Sequence, residues 1–415
     1  MNSRERFREV MRFHPGVRPP KWEYAFWGET LNRWYAEGLP KTQFVRMPGP
    51  ITTPTASLYA TAYGRQADLL RQGILPKGQA VFGGGVYWPT QGVPKDQDVE
   101  SHFGFDEGIT LLDVNQLFHP VFQPQVLEET ERTFLYRDLD GITRLYQKDE
   151  STMPTAMEWV VTDWPSWNVI KAERLGTADL GGRFPPGWEQ ACRAYRSRTG
   201  PVALGGYPQG LFGTLSHVMG YENLFVAYHD CPDLVHDMLK TFTDLWLCIW
   251  EEVLGQVEVD MVHFFEDVSM GTGSMISPGH VREFMVPYYR KLSEFLRSRG
   301  VQVILVDTDG DCTELVPLFL EGGITGLYPM ETSTGMDIME IRRRFPSLQM
   351  LGGVSKYDVA GGKEPTDRSL EVAGQLLRQG GYVPFVDHSV PPAVSWGDFC
   401  YYRTRLNALI DQCGA

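Results

Sequence analysis

The sequence predicts an α/β fold, a (β/α)8 TIM barrel, with a doubly wound open sheet as the structural alternative. Three observations point there. Short apolar runs alternate with amphipathic helical stretches through the carboxyl half, several of those runs end in carboxylates or histidine, and 415 residues suit one barrel carrying insertions.

The clearest strand is VQVILVDTDGD, at 301–311. Residues two apart share a strand face, so Val301, Val303, Leu305, Asp307 and Asp309 point one way, and Gln302, Ile304, Val306 and Thr308 the other. Up to Leu305 and Val306 both faces are apolar, as expected of a parallel strand with helices behind it. Acids confined to the carboxyl end are what a barrel active site would supply. Asp311 with Glu314 also matches a capping box for the next helix.

The other units follow with a regular beat. A helix over 221–255 precedes the strand DMVHFFED at 260–267, and an amphipathic helix over 278–299 leads into 301–311. Then come a helix over 313–321, the strand GITGLYPME ending at Glu331, a helix through IRRRF and the strand LQMLGGV. A helix over 367–379, the strand YVPFVDHSV and a last helix over 396–411 complete the series. Repeated βα units demand a parallel sheet with right-handed crossovers. PVALGGYPQG at 201–210 and PKWEYAFW at 20–27 bring the strands to seven, and a stretch near 156–161 would be the eighth.

The chain reads as a single domain over 1–415, with 48–150 as an elaboration acting as a lid or an oligomer contact. VFGGGVYWPTQGVP in that region is rich in Gly and Pro, and Asp140-Gly141 between two alternating runs is a hairpin signal. No repeat at solenoid spacing is present.

Composition narrows the partners. An apolar fraction of 42% and a charged fraction of 22% are ordinary for a globular protein. The formal charge of −14 argues against nucleic acid or an anionic membrane, since both reward Lys and Arg. The six cysteines form no CxxC pair and no zinc-ribbon spacing, so structural thiols in a reduced, cytoplasmic setting are expected. MNSRERFREVMRF lacks the apolar stretch of a secretory signal, and no apolar run approaches the roughly 20 residues of a membrane span.

Chemistry concentrates where the strands end. Glu266 and Asp267, Asp307 and Asp309, Glu331, and Asp387 with His388 would meet at one mouth of a parallel barrel. Carboxylates crowded in a cleft repel, so they need a cation, shared protons or hydrogen-bond donors. The set suggests a metal site or general acid/base chemistry. Glu266 and Asp267 alternate in facing, so one of them need not point inward. Glu331 could merely order the Thr332–Thr334 loop, and His388 could be a satisfied loop histidine. Lys356 in GGVSKY offers a weak anion contact, without the phosphate-loop pattern.

Taken in order, NSRERFREVMRFHPGVRPPKWEYAFW, SMISPGHVREFMVPYYRKLSEFLRSRG, VILVDTDGD, GITGLYPME, LQMLGGVSK and GGYVPFVDHSVPP resemble the uroporphyrinogen decarboxylase superfamily over nearly the whole chain. The resemblance implies a TIM barrel with its site at the strand carboxyl ends. It implies an activity among the porphyrinogen decarboxylases or the zinc methyltransferases that exchange methyl groups with a corrinoid protein or coenzyme thiols, and fold membership does not choose between them. The decarboxylases carry an Arg-Gln-Ala-Gly-Arg segment that grips substrate carboxylates, whereas PKWEYAFWGET stands here. His388 matches their Gly-His-Gly histidine.

The methyltransferases are similar in a His-x-Cys-Gly strand end. Setting that glycine on Gly310 places Asp307 at the His, Asp309 at the Cys, and His388 at a later Cys. The resemblance therefore implies a divalent metal, zinc by analogy, on Asp307, Asp309 and His388. Oxygen and imidazole donors would make it a harder site than thiolates do, suited to polarising a methoxy oxygen and open to iron or manganese as well. The expected function is methyl transfer from a small methylated substrate, such as a methyl ether, to a corrinoid protein. Glu266, Glu331 and Asp309 are the expected catalytic groups. The alternative is a decarboxylase or other lyase acting on a small carboxylated substrate, and a noncatalytic binding barrel is a third class.

Overall fold

The computed structural model describes residues 1–46, 67–75, 80–82, 95–148 and 154–414. Of the 48–150 elaboration, residues 48–66, 76–79, 83–94 and 149–150 lie outside the described residues, and most of VFGGGVYWPTQGVP with them. In chain order the strands are β1 (Ala25–Trp27), β2 (Ala80–Phe82), β3 (Thr110–Leu111), β4 (Gln125–Glu129), β5 (Thr133–Arg137), β6 (Thr143–Gln147) and β7 (Thr155–Glu158). There follow β8 (Val202–Gly205), β9 (Met261–Phe265), β10 (Ser269–Met270), β11 (Gly273–Ser274), β12 (Ile304–Asp307), β13 (Gly326–Met330), β14 (Gln349–Gly352) and β15 (Tyr382–Val383).

Seven strands form one parallel sheet in the order β15-β14-β13-β12-β9-β8-β3. β1 joins it beyond β15 through a parallel bridge between Phe26 and Val390. The architecture is the TIM-barrel-like α/β fold that the alternating pattern predicts. The eighth strand is β3, not 156–161. β3 is too short for periodicity to reveal, while β7 at 155–158 is mostly exposed and belongs to the antiparallel sheet β4-β5-β6-β7. Within that sheet the predicted hairpin is present: β5 pairs with β6 across a turn where Gly141 has φ +79°, a conformation that favours glycine.

Two helices depart from the pattern for local reasons. The stretch 221–255 is broken into Tyr221–Asp230 and Pro232–Leu254, because Pro232 lacks an N–H and crowds Cys231 out of helical geometry. The stretch 278–299 passes through a π-helical turn, Val281–Met285, before the α-helix Val286–Ser298, where Pro287 has no N–H for the carbonyl four residues back. No capping box forms at Asp311. Its carboxylate instead accepts from the Thr313 N–H at 2.9 Å in a local turn, and the next helix begins at Val316.

Strand alternation sorts the core into an interior and an outer layer. Met261, Val303, Leu305, Tyr328, Leu351, Val383 and Phe385 pack inside the barrel, while Val262, Phe264, Ile304 and Val306 pack against the helices. The helix Ser3–Met11 closes the amino-terminal end of the barrel, placing Phe7, Val10 and Met11 against the interior cluster. It is tied down by the Arg4 N–H to Thr199 O at 2.8 Å, Gly381 N–H to Val10 O at 2.9 Å, and the Gln349 amide to Met11 O at 2.9 Å. The interior therefore opens at the carboxyl ends of the strands. Among the described residues no helix is long and apolar enough to cross a membrane.

Glycine is required where β8 leaves the barrel. Gly205 has φ +101°, and a Cβ there would lie 1.9 Å from the His263 carbonyl oxygen. Gly205→Ala is expected to destabilise the fold by at least about 1–3 kcal/mol from backbone strain alone, read as a lower midpoint in chemical denaturation. An unchanged midpoint would refute this close approach.

Candidate active site at the barrel mouth

Asp307 ends β12 with its side chain facing the interior, as the alternation predicts. Its Oδ2 lies 2.7 Å from Nε2 of His263, an inward residue of the neighbouring β9. The Asp307 side chain is 10% exposed and that of His263 1%. Burial raises the Asp307 carboxyl above its usual range although His263 opposes the shift. The ring of Tyr328 meets His263 edge-on at 5.2 Å.

Asp309 and His388 form a second pair nearer to solvent. The two come from the ends of different strands and approach at 3.3 Å, with 42% of the Asp309 side chain and 24% of the His388 side chain exposed. Burial disfavours a charged imidazole, but the Asp309 carboxylate outweighs it and holds His388 above its usual range. In return Asp309 is held below the usual carboxylate range, burial opposing and His388 prevailing. Tyr24 lies 5.2 Å from the His388 ring, and Tyr24 and Tyr328 lie 5.6 Å apart, giving the mouth an aromatic wall.

Asp267 joins this group and Glu266 does not. Asp267 sits at φ +46° just beyond β9, where burial and then the charges of Asp309 and Asp307 push its carboxyl up to about 7. Glu266 faces outward and is fully buried beneath the helix Leu211–Met219. Its carboxylate accepts from the N–H groups of Leu211 at 2.8 Å, Phe212 at 2.6 Å and Gly213 at 3.0 Å, and from the Tyr289 hydroxyl. It serves as the cap that Gly210 cannot provide, so its role in the fold is to anchor that helix.

Glu331 lies one layer behind the exposed pair. Its Oε2 accepts from the Gly310 N–H at 2.7 Å and its Oε1 from Lys356 Nζ at 2.5 Å, while Lys356 also donates to Ser333 Oγ at 2.9 Å. Asp387, fully buried, accepts from the N–H groups of Lys356 at 2.9 Å and Ser333 at 2.7 Å. Gly310 is needed here, since at φ +78° a Cβ would lie 2.5 Å from the Met270 backbone. Lys356 thus answers internal carboxylates, where its sequence had suggested an anion contact.

The donor set does not suit the metal expected on Asp307, Asp309 and His388. Asp307 is engaged by His263 and Asp309 by His388, and among the described residues no three His, Cys, Asp or Glu side chains are grouped to hold an ion. What the mouth offers is two carboxylate–imidazole pairs beside a carboxyl that titrates near neutrality, an arrangement suited to moving protons. Sequence reasoning missed His263, which reads as one polar residue inside an apolar strand, and preferred Glu266 to Asp267.

Residues 160–397, more than half of the chain, match the uroporphyrinogen decarboxylase (URO-D) family. The chain belongs to that family of enzymes. Among solved structures it is similar to a methyltransferase from Methanosarcina mazei, with a TM-score of 0.54 and 13% identity over 100% of each chain, a likeness of fold. No curated protein matches the sequence.

The raised carboxyl of Asp267 has a consequence for stability. An aspartate ionises near pH 4 in an unfolded chain and Asp267 only at about 7 in the folded one. Across that window the folded state holds the extra proton, so stability falls as pH rises through it. Asp267→Asn is expected to gain stability relative to the parent at pH 8 and not at pH 4, as read by thermal unfolding at the two pH values. An equal difference at both would show that Asp267 titrates normally.

Proposed function

We propose that this protein is a methyltransferase that moves a methyl group from a small methylated substrate, such as an aryl or alkyl methyl ether, to a corrinoid protein. The observation that carries the reading is the Asp309–His388 pair, held at 3.3 Å across the open end of the barrel. Family membership and a fold shared along the whole chain with a methyltransferase support it, as does PKWEYAFWGET standing where decarboxylases carry their arginine segment.

In this reading the ether oxygen approaches the His388 imidazolium, which Asp309 holds in place. The methyl–oxygen bond breaks, its electron pair stays on oxygen, and that oxygen takes the proton from His388 to leave as the alcohol or phenol. A corrinoid on the partner protein supplies the nucleophile that receives the methyl group. Tyr24, partly exposed beside the His388 ring, provides apolar ring surface for the substrate body, with Tyr328 packed behind it. Asp307 and His263, buried below, keep the floor of the mouth polar and ordered.

The test is methylcobalamin formation from cob(I)alamin, followed spectroscopically over a panel of methyl ethers. His388→Asn and Asp309→Asn are each expected to lower turnover by about 10²-fold or more, the usual contribution of a positioned proton donor, with unfolding midpoints close to that of the parent. Turnover unchanged in both variants, on a substrate the parent accepts, would move the chemistry elsewhere. A second assay addresses the lyase alternative. No appreciable decarboxylation of uroporphyrinogen is expected, and coproporphyrinogen accumulating in proportion to added protein would overturn the methyltransferase reading.

A further inference from the structure

We propose that Lys356 is a positioning residue for the Asp309–His388 pair, its ammonium acting as the strut between the two loops that carry them. This rests on the proton-donating role given to that pair. Asp309 and His388 lie on separate loops, after β12 and after β15, and the short span between them depends on how those loops are held.

Each loop is fastened by the residue next to the reacting one. Beside Asp309, the Gly310 N–H donates to Glu331 Oε2 at 2.7 Å. Beside His388, Asp387 is gripped by the N–H groups of Lys356 and Ser333, at 2.9 and 2.7 Å. Lys356 Nζ spans the gap. It lies 2.5 Å from Glu331 Oε1, 2.9 Å from Ser333 Oγ and 3.9 Å from Asp387 Oδ1, with only 11% of its side chain exposed. One ammonium therefore serves two carboxylates whose side chains are 12% and 0% exposed.

Two such carboxylates without a counter-charge repel strongly at low dielectric. Removing the ammonium would drive Glu331 and Asp387 apart, taking Gly310 with one and His388 with the other. Lys356 makes no hydrogen bond to Asp309 or His388. Its charge reaches both through space, favouring ionised Asp309 and opposing protonated His388. Loss of that charge alone would therefore move His388 the opposite way from loss of Asp309, whereas loss of the strut moves it the same way. A displacement of about 1 Å in a reacting group is enough to cost large factors in rate.

The experiment reads the His388 side-chain nitrogen signals by NMR at one fixed pH, assigned with His388→Gln, in the full-length protein. In Lys356→Met those signals are expected to move toward the positions they take in Asp309→Asn, and in Lys356→Arg to stay near the parent. On an accepted methyl ether, Lys356→Met should lower kcat by about tenfold or more with KM little changed, and Lys356→Arg should recover most of it. His388 signals that stay at the parent position in Lys356→Met, with only the unfolding midpoint lowered, would overturn the proposal and leave the ammonium a fold-supporting charge. Should Lys356→Met fail to fold, Glu331→Gln keeps the size and the acceptor for Gly310 while weakening the strut, and the same signals decide. A parent that transfers no methyl group would sink the functional reading, and the NMR arm would still test the strut.

Discussion

Alternation along parallel strands is the constraint on which the rest of this structure depends. Side chains two apart face the same way, so the interior layers of Val303 and Leu305 continue into Asp307, and Met261 continues into His263. The same parity turns Val306 and Glu266 toward the helices. With the amino-terminal end of the barrel covered by the helix Ser3–Met11, the carboxyl ends become the place where an inward polar side chain can meet both a partner and solvent.

Electrostatics then divides the acids by task. Glu266 is met by three amides and a phenol at a helix terminus, which makes it an anchor. Glu331 and Asp387 share the Lys356 ammonium and several backbone donors. Asp307 and Asp309 each have an imidazole, and Asp267, buried and then crowded by both, is left with a carboxyl that holds its proton to about 7. Of the two carboxylate–imidazole pairs, Asp309–His388 is the more open, with side chains 42% and 24% exposed against 10% and 1% for Asp307 and His263. A reacting group must touch solvent or substrate, and this difference in exposure is why the proposed chemistry falls on Asp309 and His388 and not on the pair below them.

Some of the site was legible because its signal was local. Acids placed after an apolar run, as in VILVDTDG, declare a strand end, and Gly310 declares the tight turn that follows. Other parts carried no local signal. His263 sits between Val262 and Phe264 and looks like a core residue until β12 is laid beside β9 in register. Glu266 and Asp267 differ by a single step of parity, and their fates depend on a helix 55 positions away in sequence and on a backbone turn at φ +46°. The eighth strand, β3, is two residues long, and its identity comes from pairing with β8.

By itself the sequence determined the α/β class, the order of the βα units, the hairpin at Asp140-Gly141 and the inward facing of Asp307, since each follows from periodicity or turn chemistry within a few residues. Only the tertiary structure decided which acids share a partner: that Asp309 meets His388, that Asp307 meets His263 instead of completing a ligand set, and that Lys356 joins Glu331 to Asp387. These pairings link positions from 25 to 79 residues apart. The physical reason is that a hydrogen bond or ion pair depends on distance in space, and that distance is set by sheet register and loop anchoring, which no short window of sequence contains.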